Sequence, residues 1–246
     1  VLAFLDRDMV ALVEKELAGN GVELILNDGV KSFASIGNRV EATLSSNRKL
    51  IADIIILAVG VVPDTDFLKG SEIKLGVRGH ILVNEKMETN VKDVYAVGDA
   101  VEVVDFVTGS KTAIPLAGPA NKQGRIAADN AAGFDSRYKG SQGTNIIKVF
   151  GLTAAGTGAN EKALKAKGIP YKVIIIHPSS HASYYPGATP ITLKLIFNDE
   201  GKILGAQGVG RDGVDKRIDV ISTVIRLKGT VNDLTELATA YAPPYS

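Results

Sequence analysis

Within residues 8–17 the apolar side chains Met9, Val10, Val13 and Leu17 recur at the spacing that brings them to one face of a helix, and Gly19 to Gly21 supply a stop. After that the period shortens. Residues 22–26, 30–36, 39–44 and 50–59 read as strands, divided by Asn27-Asp28-Gly29 and Ser45-Ser46-Asn47-Arg48, residue types that favour turns. The last of these is apolar enough to predict a strand covered on both faces, as in a parallel α/β sheet, ending in a loop over residues 60–65. A glycine-rich hinge around residues 76–79 leads to a short strand at 81–83, then an apolar strand at 94–99 that closes on Gly98-Asp99, then a helix at 119–132. Beyond Tyr138 the order is strand 146–150, helix 159–167, strands 171–177, 190–198 and 202–209, and helices 214–227 and 231–237. Strands followed by helices predict an α+β domain for this last part.

Composition narrows the function. Hydrophobic residues make up 45% and charged residues 22%, enough to fill one large core or two smaller ones. Twenty-eight basic side chains against 27 acidic ones leave a formal charge of +1 with no basic stripe, which argues against a nucleic-acid partner. Apolar runs such as 54–62 fall well short of the ~20 residues a membrane-spanning helix needs. No signal-peptide pattern opens the chain, and it contains no cysteine, so a cytoplasmic location is expected. Without cysteine there is no disulfide, zinc-thiolate site or thiol nucleophile in these residues, and any redox-active cysteine lies elsewhere. His80, His177 and His181 lack metal-ligand spacing, so no metal is expected. The chain starts at Val1 on what reads as the tail of a strand entering a helix, which is the expectation for a fragment.

Three motifs carry chemistry. Thr89 stands ten residues before Asp99, which with Gly98 closes an apolar strand; a carboxylate at a strand end can accept hydroxyl protons in the crevice beyond it, and glycine permits close approach. The segment from Ile114 to Arg125 then starts a helix at Ala117, Gly118 and Pro119, where free amides and the helix dipole favour negative charge. Earlier, the loop from Ala58 to Thr65 has the pattern Ala-x-Gly-x-x-Pro-x-Thr, with Gly60 and Pro63. Singly, these read as a turn, a proline-initiated helix and a loop. In this order and spacing the chain resembles the pyridine nucleotide-disulfide oxidoreductase family. The resemblance implies that Asp99 hydrogen-bonds the ribityl hydroxyls of FAD, that Ala117 to Pro119 face its pyrimidine ring, and that the loop with Gly60 closes the NAD(P)H site.

The last third is similar to that family's dimerisation domain, with its closest likeness in the coenzyme A-disulfide reductases, NADH oxidases and persulfide reductases. The stretches concerned are residues 151–158, 181–188, 215–220 and 240–246. The resemblance implies that Tyr184 or Tyr185, and Tyr241, reach the partner subunit's cysteine site, where a phenol can hydrogen-bond a developing sulfur anion. As interface aromatics they have a purely structural reading as well. The implied fold is α/β plus α+β: incomplete three-layer domains for NAD(P)H (residues 1–77) and FAD (residues 78–138), then an α+β dimerisation domain (residues 139–246) forming a homodimer. The implied activity is hydride transfer from NAD(P)H to FAD, then reduction of coenzyme A disulfide or a related disulfide or persulfide, with an oxidase using dioxygen as the alternative. For the chain by itself, a non-catalytic dimerisation module is the rival. Gly208 to Gly213 spells G-x-G-x-x-G, but two helices follow it where a dinucleotide fold needs a strand-helix-strand unit, so it is expected to make a tight corner.

Overall fold

The computed structural model describes residues 2–245, and the chain forms two compact units, one made of the residues up to 16 and from 62 onward, the other of residues 17–61. Helix α1 (Arg7–Gly19) begins in the larger unit, where Met9, Val10 and Val13 are buried, as its helical spacing predicts.

The smaller unit is an antiparallel sheet in the order β1 (Val30–Ile36), β2 (Arg39–Leu44), β3 (Lys49–Ala52). Ile36 pairs with Arg39 across a two-residue turn in which Gly37 takes φ +61°, the left-handed backbone such hairpins require. Two expectations fail here. Residues 22–26 form no strand, and of the strand expected at 50–59 only β3 appears, ending at Ala52. Ile54, Ile56 and Val59 are 80 to 93% exposed. The cause is the absence of a neighbour: a strand exists only as part of a ladder, and no strand among the described residues pairs with residues 53–61.

In the larger unit, β4 (Ile81–Leu82), β5 (Val101–Val104) and β6 (Lys111–Thr112) form a small sheet, with β4 and β5 parallel. Residues 94–99, expected as a strand, make only an isolated bridge between Tyr95 and Glu88 and then a 3-10 turn over Gly98–Ala100; the ladder starts three residues later, in β5. Helix α2 (Ala117–Ala131) lies over Met87, Val101, Val103 and Tyr138 through Ile126 and Ala127.

The remaining residues build a five-stranded antiparallel sheet ordered β7-β8-β11-β10-β9: β7 (Asn145–Val149), β8 (Leu152–Gly158), β9 (Lys172–Ile176), β10 (Ile191–Phe197) and β11 (Ile203–Gly210). Helices α3 (Glu161–Ala166), α4 (Val214–Arg226) and α5 (Val231–Thr235) complete it. Val214, Ile218, Ile221, Val224 and Ile225 of α4 close over Ala155, Ile191, Ile203 and Ala206 of the sheet. The chain is thus mixed α/β, with an α+β C-terminal part as expected. Strand β8 was not anticipated, since its glycines and alanines have little β propensity. Its place between β7 and β11 explains it: Ala154, Ala155 and Gly156 are buried, and a side chain on Gly156 would press on Phe4. Among the described residues no helix is long and apolar enough to cross a membrane.

Candidate functional site

Gly98 adopts φ +84°, a backbone that favours glycine, and it opens the 3-10 turn that carries Asp99 into solvent. The amide of Gly98 donates to Oε1 of Gln123 at 2.7 Å, which ties the turn to α2. Helix α2 begins at Ala117, and its N-cap, Leu116, offers no side-chain acceptor to the first turn. Pro119 sits at the third helical position and has no N–H, so the unclaimed first-turn donors are the amides of Ala117 and Gly118, both exposed. A Cβ added at Gly98 or Gly118 would meet no heavy atom within 4 Å. An exposed carboxylate, two uncapped amides at the positive end of a helix and open space above both glycines suit FAD as the motifs imply: acceptors for ribityl hydroxyls, donors for the electron-rich edge of the ring.

The loop with Gly60 and Pro63 divides between the two units. Gly60, in the smaller unit, takes φ +101° and is open on all sides. In the larger unit Thr65 is buried and its Oγ1 donates to the carbonyl of Gly79 at 2.7 Å, fastening the end of the loop near Pro63. The threonine that ends the motif therefore has a structural task, which its place in the pattern could have signalled.

Tyr184 and Tyr241 come together. The Tyr241 hydroxyl lies close enough to the Tyr184 phenol to hold its pKa above the ordinary value. Both are largely exposed. Tyr185 turns elsewhere, its ring edge-on to His181 with centroids 5.9 Å apart. Sequence left Tyr184 and Tyr185 equivalent, and the structure pairs only the first with Tyr241.

A second polar centre was not foreseen. Lys194 of β10 is wholly buried, with Nζ 2.7 Å from Asp8, 2.5 Å from Glu161 and 3.1 Å from Asp6. Asp6 is itself held by Gln207, which donates to its carboxylate and accepts its amide. The three carboxylates have the proximity of a metal cluster, but the cation among them is the lysine ammonium. Burial pulls the Lys194 pKa down, hydrogen bonds to Asp8, Glu161 and Asp6 outweigh it, and the net shift is upward. Glu161 is lowered to about 2, first by the Lys194 hydrogen bond and then by that of Tyr171. A lysine flanked by leucines in an apolar strand was the available signal.

The G-x-G-x-x-G stretch serves packing more than turning. Gly208 and Gly210 lie inside β11, where a Cβ on Gly208 would press on Val214 of α4 at 3.0 Å. Gly213 alone makes the corner, at φ +73°.

Comparison with known proteins gives the family. Residues 1–124 match the family described as pyridine nucleotide-disulphide oxidoreductase, and residues 144–246 match the dimerisation domain of the same family. The chain is 36% identical to a NADH oxidase of Methanocaldococcus jannaschii over 243 residues, covering 99% of this chain and 54% of that protein. It is 38% identical to a coenzyme A disulfide reductase of Staphylococcus aureus over 244 residues, covering 98% and 54%. The crystal structure of reduced Bacillus anthracis CoADR-RHD superposes with a TM-score of 0.96 at 51% identity, over 100% of this chain and 44% of that one. The chain spans about half the length of the curated relatives it matches. By both matched regions and by these likenesses, the chain belongs to the pyridine nucleotide-disulphide oxidoreductase family.

Proposed function

We propose that this chain is the C-terminal part of a FAD-dependent NAD(P)H oxidoreductase that reduces coenzyme A disulfide, or a related disulfide or persulfide, through a cysteine elsewhere in the polypeptide. FAD, when bound, accepts a hydride from NAD(P)H and passes the electron pair on to the acceptor. The chain's own residues hold and orient it. Asp99 accepts hydrogen bonds from ribityl hydroxyls, and the amides of Ala117 and Gly118 stabilise charge at the pyrimidine edge. Gly60 and Pro63 border the nicotinamide side. The observation that carries the reading is the exposed Asp99 turn tied by the Gly98–Gln123 hydrogen bond to α2, the helix whose uncapped start offers the amides of Ala117 and Gly118.

The division into NAD(P)H residues 1–77, FAD residues 78–138 and interface residues 139–246 follows from the same reading. The exposed apolar segment at 54–62 is where upstream strands would pair. Residues 139–246 would join two copies; a strictly monomeric mass at high concentration of the full-length protein would rule that out. Within the dimer, Tyr184 and Tyr241 would face the partner's cysteine site, with the Tyr184–Tyr241 pair presenting a phenolic donor to a leaving thiolate. This pair favours a thiol acceptor over dioxygen.

The deciding experiment measures NADH consumption by the full-length protein with FAD, anaerobically with coenzyme A disulfide or a persulfide, and separately in air. Rapid anaerobic turnover supports the proposal. Turnover only in air makes the enzyme an oxidase.

A further inference from the structure

The Asp99 turn and the start of α2 are separate pieces of chain, and the proposed flavin site needs both at a set spacing. The side chain of Gln123, seventh residue of α2, hydrogen-bonds the turn to the helix. Gln123 is the only residue of α2 that is buried, at 2% exposure, and its Oε1 accepts the Gly98 amide at 2.7 Å. A helix that needed only to fill space there would bury an apolar side chain, because taking an amide out of water costs free energy unless it is hydrogen-bonded. The recipient matters as well. At φ +84° Gly98 has no Cβ to restrict it, and the 3-10 turn it opens is only three residues long, from Gly98 to Ala100. The bond from Gln123 therefore fixes the Val97–Gly98 peptide, the one on which the turn carrying Asp99 begins.

We infer that Gln123 is a positioning residue for the flavin: through the Gly98 amide it sets the direction of the Asp99 carboxylate and its distance from the amides of Ala117 and Gly118. The inference rests on the reading of Asp99 and the α2 start as the FAD site. Gln123 acts through Gly98 and needs no contact with the cofactor. Loss of the acceptor leaves a part-buried N–H unpaired and lets the turn rotate, so the expected damage is to flavin affinity and electronic environment ahead of fold stability.

The test uses the full-length protein and three substitutions. Gln123→Met keeps length and removes the acceptor; Gln123→Glu keeps an acceptor and adds charge; Asp99→Ala removes the proposed ribityl contact. Apparent FAD affinity is read by fluorescence quenching, the flavin environment by its visible spectrum, and its reduction potential by dye equilibration. Gln123→Met is expected to bind FAD about ten-fold more weakly, equivalent to about 1.4 kcal/mol, with an altered spectrum. Gln123→Glu is expected to restore affinity to within about two-fold, since a carboxylate also accepts the amide. It should also lower the potential, since its charge opposes the anionic reduced ring. Wild-type affinity and spectrum in Gln123→Met, with Asp99→Ala impaired, overturn the inference and leave the site reading intact. FAD affinity in Gln123→Glu weakened well beyond two-fold overturns it too, and decides the matter if Gln123→Met does not fold. Silence of both Gln123→Met and Asp99→Ala removes the site reading itself.

Discussion

Replacing Lys194 by methionine tests the buried charge centre most sharply. Methionine keeps the unbranched stem and removes the ammonium, so Asp6 at 7% side-chain exposure and Glu161 at 24% lose their counter-charge, whereas Asp8 at 43% is wet enough to matter little. Removing one partner of a buried ion pair costs about 3–5 kcal/mol. The lower end applies here, because Asp6 keeps the Glu161 amide and Gln207, and Glu161 keeps the Tyr171 hydroxyl at 2.6 Å. A loss of about 3 kcal/mol should lower the urea midpoint by about 1 M at unchanged slope. Adding Glu161→Gln to Lys194→Met should recover more than about 1 kcal/mol relative to additivity, since it removes the orphaned charge. Acid titration gives an independent reading. Glu161 is lowered to about 2 from the usual 4.5, so its contribution is complete above 4.5 and is lost as pH falls from there towards 2. Without the Lys194 hydrogen bond, Lys194→Met should lose most of that dependence. A stability loss under about 1 kcal/mol, or strict additivity of the two substitutions, would refute the account.

Tyr184→Phe in the full-length enzyme is expected to lower kcat/KM for coenzyme A disulfide by about ten-fold or more while changing NADH oxidation in air by less than about two-fold; equal losses with both acceptors would assign the tyrosine pair to structure. Gly158, at φ +72° beside Leu204 and Gly205, admits no Cβ, so Gly158→Ala should destabilise by about 1–3 kcal/mol in equilibrium unfolding. Thr230 and Asp233 form a capping box at the start of α5, and Thr230→Ala should cost about 1 kcal/mol, a value that calorimetry resolves.

Apart from β8, the regular elements of the C-terminal third were legible because each carries its own period and finds its neighbours within the chain. The alternating apolar residues of β10 and the spacing from Val214 to Ile225 in α4 bury against one another in one cluster. The family was legible because glycine, aspartate and proline at fixed offsets leave a local trace. Tertiary structure alone decided the rest. Strand β8 exists because two flanking strands need a thin partner, and residues 53–61 form no strand because none lies beside them. Asp6 meets Gln207 across 201 residues, Lys194 meets Asp8 across 186, and Gln123 reaches back 25 to Gly98. Polar contacts between distant segments leave no periodic trace: a single lysine or glutamine in sequence reads as surface, and burial beside its partner is a property of the assembled fold.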